Sequence, residues 1–200
     1  MDEKKISSVE ESLEIIETMI NKAKNTVADN SFLFLLWGWL VFIASITQFI
    51  LKILFNYSHH YYAWALLFIA LLVSISRYRM KRVKNGAKTY IDYIIENLWV
   101  GIILSYMLFT LIFFRIGWEH CYTFYVFLMS LSCFLTGKLL NFFPLVTGSI
   151  ICGFLVLLST FINYDYNILI CGLAVMISYI IPGHLLRLRY KKHNLPDNNV

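Results

Sequence analysis

Residues 32–55 read FLFLLWGWLVFIASITQFILKILF. The stretch holds no acidic side chain, and its one basic residue, Lys52, stands near the end. An α-helix needs roughly 20 apolar residues to cross about 30 Å of hydrocarbon, and this run exceeds that. Five further apolar runs follow it: Tyr62–Ser76, Leu98–Ile116, Tyr122–Leu140, Phe143–Ile162 and Ile168–Leu186. The second is short and reaches a useful length by continuing through Arg77, whose long side chain can snorkel. The pattern predicts an all-α protein, an integral membrane bundle of six helices arranged as three helical hairpins. Three regions follow: an amphipathic cytoplasmic helix in 1–30, the six-span bundle in 31–187 and a basic cytoplasmic tail in 188–200.

Composition supports that class. Hydrophobic residues make up 59% of the 200 residues and charged residues 14%, against roughly 45–50% and about 25% in globular chains. A chain so poor in charge cannot cover a water-facing surface. Its net charge of +5 belongs to basic residues beside apolar runs, not to a separate basic domain, so nucleic acid is not an expected partner. The amino terminus lacks the short apolar core and cleavage site of a secretory signal.

The basic residues also orient the bundle. Four precede the first run (Lys4, Lys5, Lys22, Lys24) and six follow the second (Arg77, Arg79, Lys81, Arg82, Lys84, Lys88). Lys138 stands near the fourth-to-fifth turn, and Arg187, Arg189, Lys191 and Lys192 lie in the tail. Of the 17 basic residues, only Lys52 and Arg115 fall on the opposite side. The bias predicts an inner-membrane, multi-pass protein with both termini cytoplasmic. Aromatic rings mark both interfaces. Tyr57, Tyr61, Tyr62, Trp64, Trp118, Tyr122, Tyr164 and Tyr166 fall at the outer one, and Tyr90, Tyr93, Trp99 and Tyr190 at the inner.

Ahead of the bundle, apolar residues recur at Ile6, Val9, Leu13, Ile16, Ile20, Ala23 and Val27. Their spacing alternates between three and four, the seam of a coiled coil. Ser8 with Glu11 forms a capping-box pattern. Glu10, Glu11 and Glu14 come early and Lys22 and Lys24 late, which suits the helix dipole. Two readings of the stripe stand. It docks on the cytoplasmic ends of its own bundle, against Tyr90, Ile91, Ile94 and Ile95 in the longest loop. Alternatively it pairs with another copy or with a cytoplasmic protein, through Ile6, Val9, Leu13, Ile16, Ile20 and Val27.

No carboxylate falls within the apolar runs, which disfavours a proton or sodium relay built on intramembrane acids. The interior offers hydroxyls, thiols and one amide, Gln48. Small residues four apart, Ala70/Ser74, Gly101/Ser105 and Ser149/Gly153, favour close helix contact. Pro144 suits a first helical turn. Pro182 lies inside the sixth run, where it kinks the helix or frees a carbonyl near Ser178. Ser178, Pro182, Gly183 and His184 form the candidate kink or gate. His59, His60, Glu119, His120 and Asp165 share the outer loops, yet without a helical ligand pair they predict no metal site. Cys121, Cys133, Cys152 and Cys171 read as packing residues, with Cys121–Cys171 the one pairing to test as a disulfide. No nucleophile–base pair or phosphate cradle is present in the sequence, so neither catalysis nor a cofactor is expected. Ser132–Leu140 aligns with Ser178–Leu186, serine five residues before glycine and then Leu-Leu. The likeness reads either as shared exit chemistry or as diverged parallel repeats.

Phe34–Leu40, Lys88–Asp92, Asn97–Trp99, Phe134–Gly137, Phe142–Leu145 and Tyr179–Leu186 together resemble a group of small six-span bacterial membrane proteins of unassigned activity. Members of that group are often encoded beside a small winged-helix regulator. The resemblance covers nearly the whole chain and implies an inner-membrane protein. Thr136 and His184 stand where the group commonly has other small or aromatic residues, and the resemblance carries no site residue over. Three functions are compatible with the sequence: a non-enzymatic membrane protein that senses or regulates through its amino-terminal helix and basic loop, a small-molecule permease or substrate-binding subunit, and a structural or assembly factor.

Overall fold

The computed structural model describes residues 31–84 and 90–194. Among them are six helices and no strand. In chain order they are α1 (Ser31–Ile53), α2 (Leu66–Lys84), α3 (Tyr90–Ile116), α4 (Cys121–Leu139), α5 (Phe143–Ser159) and α6. A 3₁₀ turn, His60–Ala65, leads into α2. α6 is one continuous helix in three parts: Tyr164–Val175, a π-wound segment Met176–Ile180, and Ile181–Asn194. Five helices are long and apolar enough to cross a membrane, and α5 is a shorter apolar helix. The six apolar runs thus correspond to six helices, of which one falls short by length.

The helix ends follow local chemistry. α1 closes at Asn56 and α4 at Asn141, with φ of 46° and 49°. Asparagine tolerates this left-handed conformation better than other side chains. At the second closure the Phe142 N–H donates to the Gly137 carbonyl at 2.9 Å, the six-to-one bond of a Schellman turn. Gly117, at φ 103°, ends α3 in a conformation that favours glycine. Pro144 stands in the first turn of α5, where its missing N–H costs nothing. One boundary departs from expectation. Tyr90–Asn97, read from sequence as loop, belongs to α3, because Ile94, Ile95, Leu98 and Trp99 continue one partly buried face.

α6 is the hub, packing against α1, α4 and α5, and α4 also packs closely on α5. α2 packs on α1, and α3 on α4. Glycines allow the α1–α6 approach: a Cβ at Gly38 would lie 3.0 Å from Ile180 Cγ1, and one at Gly172 would lie 3.1 Å from Ser45 Oγ. Hydroxyls join backbones across the helices. Ser45 donates to the Ile168 carbonyl, and Ser130 donates to the Ser149 carbonyl at 2.7 Å. Two of the three small-residue pairs meet a neighbour. Ala70 is buried, and beside it Ser74 accepts from Trp37 Nε1; Ser149 and Gly153 face α4. Among the described residues Gly101 has open space around it and Ser105 bonds only its own helix, so that pair makes no helix contact there. α3 instead displays Val100, Ile103, Leu104, Met107, Leu108, Leu111 and Ile112 outward. An apolar face of that extent is untenable in water. The chain is an apolar helical bundle compatible with an integral membrane protein.

The amino-terminal stripe, including Ile6, Val9, Leu13, Ile16, Ile20 and Val27, lies outside the described residues. So do residues 195–200 of the tail. All four cysteines are buried free thiols, so Cys121 and Cys171 are not bridged.

Candidate functional site: a polar clamp and a π-wound helix

The single amide expected in the apolar interior organises one end of the bundle. Gln48 is 1% exposed. Its Oε1 accepts from Trp64 Nε1 at 2.5 Å and from the Tyr122 hydroxyl at 2.5 Å. Indole nitrogen can only donate, so the carbonyl side of the amide must face Trp64. The NH₂ side then faces His60 Nδ1, at 3.1 Å. That nitrogen must accept, which fixes His60 as a neutral ring with its proton on Nε2. One side chain thereby ties α1, the 3₁₀ turn and α4 together, with every polar group of the amide engaged by chemistry suited to it.

The clamp continues into α6. Lys52, in the last turn of α1, pairs with Asp165 in the first turn of α6. Its ammonium also lies 4.1 Å from the centroid of the Tyr164 ring, within cation–π range. Tyr164 packs on Tyr122 with centroids 5.4 Å apart, and Tyr122 on Trp64 at 6.0 Å. Lys52, one of the two basic residues on the sparsely charged side, thus has both a carboxylate and a ring as partners.

The outer-loop cluster divides among separate contacts. His60 joins Gln48 and Asp165 joins Lys52, whereas His59 contacts the Tyr61 hydroxyl and stacks on Tyr62. Glu119 and His120 are exposed in the α3–α4 link. Among the described residues no three His, Cys, Asp or Glu side chains gather as metal ligands.

At the opposite end, Phe34, Trp99 and Tyr179 form a three-ring contact between α1, α3 and α6, with centroids 5.6–6.3 Å apart. Tyr179 belongs to the π-wound segment, as does Ser178. Ser178 is fully buried and donates to the Ala174 carbonyl at 2.7 Å. Pro182 is buried in the helix that follows; a Cβ at Gly183 would stand 3.0 Å from Leu35, and His184 is exposed. The four candidate kink residues therefore diverge: two face the core, one faces α1 and one faces outward. The aligned segments of α4 and α6 also differ, since α4 ends at Leu139 just past Gly137, whereas α6 runs on from Gly183 to Asn194.

Asn167 was not singled out from sequence. It is 2% exposed; its Nδ2 donates to the Ile162 carbonyl at 3.3 Å, and its Oδ1 has no partner among the described residues. Neighbouring Asp165 and Tyr166 give it the look of a loop residue. A helix beginning at Tyr164 turns it inward instead.

These features define a class: an all-helical, apolar bundle compatible with an integral membrane protein. No family model, curated protein or solved structure matches the chain.

Proposed function

We propose that the chain is a non-enzymatic inner-membrane protein that crosses the bilayer six times with both termini cytoplasmic. Its role is sensing or regulation through the amino-terminal helix and the basic α2–α3 loop. The observation that carries this reading is the unequal anchoring of the helices. α2 and α3 bury 11% of their apolar windows each, while α4 and α6 bury 44% and 56%. Of the five membrane-length helices, the two least buried among the described residues are the ones joined by the segment rich in basic residues, Arg77 to Lys88. A cytoplasmic partner that engages this loop or the amino-terminal stripe acts on the part of the bundle that costs least to displace. The bundle is arranged as three hairpins in this reading, and lipid covers the outward faces of α2 and α3.

The test is crosslinking in native membranes. Ile16→Asp combined with Ile20→Asp is expected to abolish a crosslink from the amino-terminal helix to a second copy or a cytoplasmic protein, without reducing the amount in the membrane fraction. If no neighbour is captured before or after the change, the regulatory reading fails. Release by alkaline carbonate would refute the membrane reading itself.

A further inference from the structure

We propose that α6 is a two-register hinge, set by Pro182 on its own chain and by Gly148 on α5. Four buried positions on α6, Ala174, Ser178, Pro182 and Leu186, recur every fourth residue. In an unbroken α-helix such a row drifts about 40° per step around the axis, because each turn holds 3.6 residues. Three successive steps would carry Leu186 out of the core. The π-wound segment Met176–Ile180 absorbs that drift, since its wider turn accommodates an extra residue. The Ile181 N–H accordingly bonds to the Met176 carbonyl, five residues back.

The winding frees one carbonyl. Ile181, the α-helical donor for Ile177, is committed to Met176. Pro182 has no N–H to offer in its place. The Ile177 oxygen instead lies against Gly148, where an added Cβ would stand 2.8 Å away. Beside it Cys152 Sγ and Ser178 Oγ both contact the Ala174 carbonyl, at 3.2 and 2.7 Å. Glycine at 148 therefore accommodates the π register. Proline at 182 penalises the α register, in which its ring would meet the Ser178 carbonyl. Movement of α5 away from α6 removes the seat of the Ile177 oxygen and favours the alternative winding. The segment after Ile181 then turns by about 100°, one residue's rotation. It re-aims the segment leading to the basic tail. The inference rests on the membrane-regulator reading and supplies it with a moving part.

The test uses spin labels at Leu188→Cys on α6 and Phe143→Cys on α5, both exposed positions at one end of the bundle. The protein is reconstituted in phospholipid vesicles, and the four native thiols are buried. The wild type should give one major distance and a minor one. Pro182→Ala should enrich the minor distance, displaced by about 8 Å, the chord of a 100° turn at a helix surface. Gly148→Ala should shift the distribution the same way. Should that variant fail to fold, Pro182→Ala alone decides. A single distance common to wild type and Pro182→Ala, or opposite shifts in the two variants, overturns the hinge. Failure to enter vesicles at all would instead count against the membrane reading.

Discussion

α3 and α6 are both long and apolar, yet they meet their surroundings in opposite ways. α6 buries 56% of its apolar window inside the bundle and α3 only 11%. Part of the difference lies in side-chain size, although α6 also buries Ile168, Val175 and Ile180. The core face of α6 carries Cys171, Gly172, Ala174, Ser178 and Gly183, all buried, which lets neighbouring backbones approach. The outward face of α3 carries Ile103, Leu104, Met107, Leu108 and Leu111. Between apolar helices in a membrane, close packing supplies the attraction that hydrophobicity cannot, and small residues permit it.

The sharpest test of that contrast exchanges glycine for leucine on each side. Gly38→Leu places a branched chain where a Cβ alone would stand 3.0 Å from Ile180. It is expected to cost about 3 kcal/mol, near the upper range for overpacking, and to lower the unfolding midpoint in mild detergent sharply. The matched change on α3, Gly101→Leu, enters open space and should stay within about 0.5 kcal/mol. Equal losses at the two sites would break the comparison.

Gln48→Leu comes next. It strands the Trp64 and Tyr122 donors in a buried setting and should cost about 2 kcal/mol. Adding Tyr122→Phe should then cost less than it does in the wild type, as a double-mutant cycle would reveal.

The clamp is also sensitive to acid. His60 accepts through Nδ1, so a second proton turns that nitrogen into a donor facing the Gln48 NH₂. The stabilisation is present while the ring is neutral and disappears as pH falls and the ring charges. The unfolding midpoint should therefore drop on acidification in the wild type, and less so in His60→Phe. The smallest effect belongs to Lys52 and Asp165. Their side chains are 26% and 39% exposed, so a cycle of Lys52→Met and Asp165→Asn should give a coupling of at most about 1 kcal/mol.

The helices were legible in the sequence because run length and charge are local properties. Phe32–Phe55 anticipates α1 (Ser31–Ile53), and Tyr122–Leu140 anticipates α4 (Cys121–Leu139), each to within two residues. Gln48 stood out as the lone amide of an apolar run, but its partners did not. Trp64, Tyr122 and His60 reach it from 12 to 74 residues away in the chain, and no local pattern encodes such pairings. Pro182 announced a disturbance near Ser178. That the disturbance is a π turn depends on Gly148, on another helix. Gly101 looked as suited to packing as Gly153, and only the position of α3 at the margin of the bundle separates them.

The most direct measurement of a bundle that spans the membrane is thiol labelling across one helix. Glu119→Cys precedes α4, and Lys138→Cys lies in its last turn; both sites are exposed. In sealed cells a membrane-impermeant maleimide should label Glu119→Cys at once and Lys138→Cys only after permeabilisation. Labelling of both from the same side, before permeabilisation, would contradict a membrane-crossing α4 and with it the orientation of the whole bundle.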